Sequence, residues 1–241
     1  MTSTTEAIVS KVHGRLEHEP RINLHSHPIR IDFADGAVVL EGEVKSIAAK
    51  KLALRLAGAV EGVRGVVDRL RVVPGEPKGD GAIRDSLCRF LLQEPEMKNC
   101  KLRAKAKGRV ETLSDGPDSS GEIEVAVKEG VITVEGNVLS LAHKRITGVL
   151  AWWTPGCRDV VNSLEVVPPE EDNDAEVVDA LGLVFEMDPL IQAEQLTGSC
   201  QDYVVTLRGY VRTEDERRQA ERDAWALFAV DDVINDIEVR A

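Results

Sequence analysis

The sequence of 241 residues lacks several features that would assign it to a familiar class of protein. It contains no uninterrupted apolar stretch approaching the roughly 18 to 20 residues that a membrane-spanning helix requires. Its N-terminal segment has no basic flank followed by an apolar core, so no secretory leader is visible. We therefore expect a cytoplasmic protein, or a periplasmic one if a leader has been removed.

Catalytic and metal-binding signatures are also missing. The sequence has no phosphate-binding glycine-rich loop, no nucleophile elbow and no HExxH motif, so it predicts neither an enzyme nor a cofactor. Its cysteines lack the paired spacing of a disulfide framework or zinc ribbon, and the four histidines of its N-terminal part match no ligand signature. These residues are Cys88, Cys100, Cys157 and Cys200, and His13, His18, His25 and His27. We expect reduced, mostly buried thiols and solvated histidines rather than a metal site.

The net charge of −12 is unevenly distributed along the chain. Residues 1–74 carry 11 basic and 9 acidic side chains, residues 75–168 carry 13 and 14, and residues 169–241 carry 6 and 19. A net acidic body is repelled by phosphate, which disfavours nucleic acid as a partner. Any contact with a polyanion is expected within the first two thirds of the chain.

One pattern is present three times. Each copy contains apolar residues at intervals of four before an acid-proline pair, then alternating runs closed by a glycine, then a valine-led run 24 residues after that glycine. The acid-proline pairs are Glu19-Pro20, Glu94-Pro95 and Asp188-Pro189. The glycines are Gly42, Gly136 and Gly209, and the last runs begin at Val66, Val160 and Val233. The chain is therefore a tandem array of one small domain.

The periods within each copy predict helix, strand, strand, helix and strand. The residue before proline leaves the helical region, the alternating runs form a hairpin with one buried face, and Ser46, Ser140 and Thr213 are N-caps of the second helices. The expected fold class is α+β, with three tandem αββαβ two-layer sandwiches, each a small sheet with two helices on one face. The expected boundaries are 1–73, 80–168 and 174–241, with an insertion near 101–121 in the second copy.

This combination of motifs resembles the BON domain of bacteria. The hairpin arms and terminal strands that carry the resemblance are Gly36 to Val44 with Val66 to Val72, Gly130 to Val138 with Val160 to Val166, and Val204 to Val211 with Val233 to Val239. The resemblance implies a non-enzymatic module associated with the cell envelope, osmotic stress and attachment to phospholipid. A cytoplasmic relative with a different partner domain binds potassium.

The inserted segment contains the strongest candidate for a binding site. Its first half alternates between basic and mostly apolar residues, and in an extended chain the cations would line one face. They are Lys101, Arg103, Lys105, Lys107 and Arg109. Such a strip would attract lipid headgroups or another polyanion, although lysines also serve on edge strands simply to prevent aggregation.

Tryptophans mark a second candidate surface. Trp152 and Trp225 lie sixteen residues after their closing glycines, at a position near the edge of the second helix, and Trp153 follows the first of them. They would contact a membrane interface or partner, or else pack between adjacent copies. The acidic run 170–176 is interpreted as a solvated linker into the third copy.

These features leave two hypotheses. The first is a binding or scaffold protein that attaches to anionic phospholipid or an envelope protein through the basic strip and the tryptophans. The alternative is a cytoplasmic sensor that binds a monovalent cation such as potassium with backbone carbonyl groups.

Overall fold

The computed structural model describes residues 4–116 and 121–240. Two compact units, residues 1–73 and 74–241, contain the first copy and the other two copies respectively. The chain has the α+β fold predicted, with three sheets that each take their strands from one repeat. Within the described ranges, no helix is both long and apolar enough to cross a bilayer.

The elements of the first repeat follow the predicted order. They are α1 (Thr4–Glu17), β1 (Ile29–Ala34), β2 (Ala37–Val44), α2 (Ile47–Gly58) and β3 (Gly65–Val72). The central strand β2 is antiparallel to β1 and parallel to β3. The connection through α2 therefore places both helices against the face of the sheet that carries the buried side chains.

The second repeat has the same elements and an added hairpin. They are α3 (Asp80–Gln93), β4 (Lys101–Ala106), β5 (Arg109–Ser114), β6 (Glu122–Lys128), β7 (Val131–Val138), α4 (Leu141–Trp153) and β8 (Asp159–Val166). The inserted strand β4 pairs in parallel with β6, so the strand order of this sheet is β5-β4-β6-β7-β8.

The third repeat returns to the simpler form. Its elements are α5 (Asp174–Met187), β9 (Leu196–Gln201), β10 (Val204–Val211), α6 (Glu214–Ala226), β11 (Asp232–Asn235) and β12 (Glu238–Val239). The last strand is divided in two, and both parts pair in parallel with β10.

The apolar stripes of the first helices form the cores of the repeats. All nine residues predicted from the interval of four are buried: Ile8, Val12, Leu16, Ile83, Leu87, Leu91, Val177, Leu181 and Phe185. The predicted N-caps also form, since Ser46, Ser140 and Thr213 each accept a hydrogen bond from the backbone N–H three residues later. These contacts stabilise each helix end by about 1 kcal/mol.

The three closing glycines occupy equivalent positions, as predicted. Gly42, Gly136 and Gly209 pair with Ile29, Ile123 and Leu196 and have φ values of 147°, 124° and 124°. A side chain at Gly136 would collide with the backbone carbonyl of Glu122, and one at Gly209 would collide with that of Gln195. Only glycine combines this φ with such a close approach of two strands.

Candidate binding surfaces

The basic strip is folded into a hairpin and does not form one row. Lys101, Arg103 and Lys105 lie on the outer face of β4, but Lys107 and Gly108 form the turn, with φ values of 51° and 78°. Arg109 begins β5 opposite Ala106 and therefore lies on the other face, because directly paired residues share a face. The prediction that five cations line one face is wrong, because the chain reverses direction at Lys107 and Gly108.

Acidic partners neutralise the part of the strip that does form a row. The ammonium group of Lys101 lies 3.2 Å from Asp115, the guanidinium of Arg103 lies 2.7 Å from Glu122, and Lys105 lies 3.6 Å from Glu124. Glu122 and Glu124 belong to the adjacent strand β6, so the basic residues of β4 are complementary to the acidic residues of the strand beside it. The cations on this face are therefore paired with carboxylates of the same repeat, and each pair contributes up to about 1 kcal/mol to stability.

The tip of the hairpin differs from this paired face. Lys107 and Arg109 are exposed, and neither has an ion pair with any of the residues that the structure describes. The next residue, Val110, is 48% exposed, and Leu113 of the same strand is 39% exposed. The tip thus presents two cations without ion pairs among the described residues, while Val110, which pairs with Lys105, points to the opposite face of the hairpin from Arg109.

The tryptophans do not form an exposed surface. Trp225 is buried, with 2% of its surface exposed, and Trp152 packs against the core of the second repeat. The prediction of an exposed aromatic at this helical position is therefore wrong for Trp225, because this edge of the helix is buried. Trp153, one position later in α4, donates from its indole N–H to Asp223 of α6 at 3.0 Å. The alternative interpretation, packing between adjacent copies, applies to Trp153.

The contact of Trp153 leads into a buried polar cluster. Asp223 is fully buried, and its Oδ1 also accepts from the side-chain amide of Gln219 at 3.0 Å. The same amide nitrogen donates to Asp188 at 2.7 Å. Burial, and secondly the neighbouring carboxylate of Asp188, raise the pKa of Asp223 to about 8. The carboxyl group is therefore protonated at neutral pH, which avoids placing an uncompensated charge between the two repeats.

The acidic run before α5 contacts both repeats, so its interpretation as a merely solvated linker is wrong. Glu170 accepts from the backbone N–H of Leu141 at 2.7 Å, and Asp172 pairs with the fully buried guanidinium of Arg145. Arg145 also lies 4.8 Å from the ring centroid of Phe228 in the third repeat. The linker and this cation–π contact fix α4 against the third repeat.

The end of the run organises the third repeat itself. Asn173 caps α5 by accepting from the N–H groups of Ala175 and Glu176. Asp174 accepts from the backbone of Tyr203 and Asp202, both at 2.9 Å. The hydrogen bond from Tyr203 is the largest cause of a pKa of Asp174 below its usual value. Asp80 makes the equivalent contacts with Glu129 and Gly130 in the second repeat.

Comparison with known proteins agrees with this architecture. The family model of the BON domain matches residues 4–74, 101–168 and 173–241. The chain belongs to the BON domain family. The second match begins at β4, although α3 packs in the same repeat.

Solved structures similar to this BON protein include two of CdsD, a structural protein of the type III secretion system of Chlamydia trachomatis. One is described as its C-terminal domain, with 14% identity, a TM-score of 0.25 and coverage of 97% of this chain and 98% of that one. The other has 15% identity, the same TM-score and coverage of 97% and 92%. No curated protein matches the chain.

The four cysteines of the BON repeats are free thiols. Three cysteines are buried and Cys200 is half-buried. Burial raises the pKa of Cys88 to about 11 and that of Cys200 to about 12, where the hydrogen bond to Asp174 contributes as well. Within residues 4–116 and 121–240, no group of three or more histidine, cysteine or acidic side chains is placed to hold a metal ion.

Proposed function

We propose that the chain is a non-catalytic binding protein whose second BON repeat attaches to anionic phospholipid through the tip of the β4–β5 hairpin. The observation that supports this proposal is that Lys107, Arg109 and the apolar Val110 are all exposed at the hairpin tip, with Arg109 and Val110 on opposite faces of it. Membrane-surface segments commonly combine cations with apolar side chains that enter the headgroup region. The predicted basic strip is thereby reduced to its last three residues, Lys105, Lys107 and Arg109.

The charges of this tip limit the affinity. Each basic residue near an anionic surface contributes about 1 kcal/mol, and Lys105 is weakened in this respect by its contact with Glu124. Two or three such residues give only marginal attachment, so the apolar contribution of Val110 and Leu113 is required as well. We expect weak, reversible binding that decreases as the salt concentration rises.

The acidic third repeat determines which part of the protein faces the anionic surface. Residues 169–241 carry 6 basic and 19 acidic side chains, whereas residues 75–168 are nearly neutral. An anionic surface therefore repels the third repeat and tolerates the second. The hairpin, and not the half-buried Trp152 and Trp153, is the part of the second repeat that we expect to approach the lipid.

Vesicle sedimentation tests the proposal. The double variant Lys107→Glu and Arg109→Glu should bind vesicles of phosphatidylglycerol at least tenfold more weakly than the wild type, while vesicles of phosphatidylcholine should bind neither protein appreciably. A matched control is Lys45→Glu with Lys98→Glu, which changes the net charge equally at two exposed lysines outside the hairpin. This control should retain most of the binding.

Two results would contradict phospholipid attachment. One is that the wild-type protein does not bind acidic vesicles, and the other is that the hairpin variant and its control lose vesicle binding to the same extent. In the first case, melting curves in potassium and sodium at equal ionic strength would distinguish the ion-sensor alternative, because a carbonyl site responds to the identity of the ion. If neither lipid nor potassium has an effect, an envelope protein becomes the partner to seek.

A further inference from the structure

An edge strand that is covered in the second repeat is open in the third. Strands β6 and β9 are equivalent, because Ile123 of β6 and Leu196 of β9 both pair with the closing glycine of their repeat. On its other side β6 pairs with β4, whereas β9 pairs with β10 alone among the strands of the described residues. The second repeat therefore shows how a strand can be added to this edge.

The added strand β4 has a simple alternating design. It lies parallel to β6, with Leu102 beside Ile123 and Ala104 beside Val125. Leu102 and Ala104 are buried in the same core cluster as Cys88 of α3. The intervening basic residues point outward, as described above. Small apolar side chains thus fill the space between strand and helix, while cations remain on the outer face.

The third repeat has an open groove where β4 lies in the second. The groove has a volume of about 880 Å³ and lies between α5 and β9, where its lining includes Val178, Gly182, Thr197 and Gly198. Gly182 and Cys88 are equivalent, since each lies seven residues before the proline of the acid-proline pair in its own repeat. Cys88 is buried, but a Cβ placed on Gly182 would meet no atom within 4 Å.

The charge around this groove indicates the chemistry of its occupant. Glu186 and Glu194 are exposed and line it, in the repeat that carries the excess of acidic residues. In the second repeat, β4 brings cations to Glu122 and Glu124 of the edge strand, whereas β9 itself carries no acidic residue, so in the third repeat the acidic partners are those that line the groove. A basic extended segment is therefore complementary to the groove, whereas an acidic one, or a second copy of this acidic repeat, would be repelled.

We propose that the β9 edge and its groove bind an extended basic segment of a partner protein, which adds to the third sheet as a strand parallel to β9. Backbone hydrogen bonds to β9 would supply affinity, and alternate small apolar side chains in the groove would supply specificity. This site is separate from the proposed lipid contact and stands independently of it.

A peptide copied from β4 provides the probe. The sequence KLRAKAK of residues 101–107, labelled with a fluorophore, is titrated with the full chain, and a peptide of the same composition in block order, KKKRLAA, serves as control. We expect the alternating peptide to bind and the block peptide to bind at least tenfold more weakly. Hydrogen exchange should show new protection at Leu196–Gln201.

Two variants at Gly182 test the groove without endangering the fold. Gly182→Leu fills the groove and should weaken binding of the alternating peptide at least tenfold, whereas Gly182→Ala should leave binding unchanged. Both replace an exposed helical glycine and should maintain or raise the melting temperature. The proposal is overturned if the peptide does not bind at about 1 mM, if Gly182→Leu binds it as wild type does, or if the new protection is confined to β6.

Discussion

The second and third repeats have the same order of helices and strands but differ at the edge of the sheet and in charge. In the second, the β4–β5 hairpin covers the edge strand and its cations neutralise Glu122 and Glu124. In the third, β9 is open and acidic side chains line the adjacent groove. The shared positions define the scaffold, and the positions that differ are those where we place binding.

The largest expected effect tests the shared scaffold. Gly136→Val and Gly209→Val should each lower the free energy of unfolding by about 3 to 4 kcal/mol, because the side chain needs an unfavourable φ and meets a backbone carbonyl. Val39→Thr, on the half-buried outer face of the first sheet, should cost less than about 1 kcal/mol. Urea denaturation measures all three.

The losses in free energy of unfolding for Gly136→Val and Gly209→Val should agree within about 2 kcal/mol. A larger difference would show that the hairpin or the joint between repeats, and not the common scaffold, dominates the stability of one repeat. The two repeats would then be poor models for each other. That result would also weaken the comparison on which the proposed strand addition depends.

The scaffold was predictable because its determinants are local. The interval of Ile83, Leu87 and Leu91 reveals a buried helix face, and a fixed distance from each glycine locates the next strand. The alternation of charge does not by itself reveal the turn in the basic strip, because it continues on both sides of the turn. Gly108 directly after Lys107 is the residue that indicates it.

The joint between the second and third repeats could not be predicted, because its partners are distant in the chain and depend on how the two repeats dock. Trp153 and Asp223 are 70 residues apart. Nothing near Asp223 in the sequence distinguishes it from the exposed acids of α6. The same holds for Arg145. In the sequence it resembles any other polar helix residue, and its role becomes visible only from its contacts with Asp172 and Phe228.

The second-largest effect is expected at this joint. Asp172→Ala leaves the buried guanidinium of Arg145 without its counter-ion and should cost about 2 to 3 kcal/mol, less than for a fully buried pair because Asp172 itself is partly exposed. Glu171→Ala removes an adjacent exposed acid and should be close to neutral. Equal effects in thermal or urea denaturation would mean that Asp172 acts only through net charge.

A pH-dependent effect is expected from Asp223. Its pKa is about 8 in the folded protein and 3.8 without perturbation, so the folded state retains a proton that the unfolded chain releases above about pH 4. Stabilisation is therefore complete at low pH and is lost as pH rises toward 8. The groups that face this carboxyl are Asp188, Trp153 and Gln219.

Asp223→Asn tests this linkage, because an amide keeps the acceptor for Trp153 and offers a permanent donor toward Asp188. The variant should match the wild type near pH 5 and exceed its stability by at least about 1 kcal/mol near pH 8.5. Taking the difference between the two proteins cancels the titration of the carboxyl groups that do not interact with Asp223. A constant difference across this range would show that Asp223 is already ionised at pH 5.

The smallest effect is expected at the hairpin tip, and it matters because the lipid experiment depends on it. Lys107→Glu with Arg109→Glu should change the free energy of unfolding by less than about 0.5 kcal/mol, since both side chains are exposed and lack ion pairs within the described residues. Arg103→Glu, in contrast, places a like charge beside Glu122 on the paired face and should cost about 1 kcal/mol or more. Melting curves of the two variants therefore separate the face that stabilises the second repeat from the tip that is free to bind. If the tip variant proves the less stable of the two, a loss of vesicle binding by that variant would reflect unfolding, and the tip would belong to the scaffold.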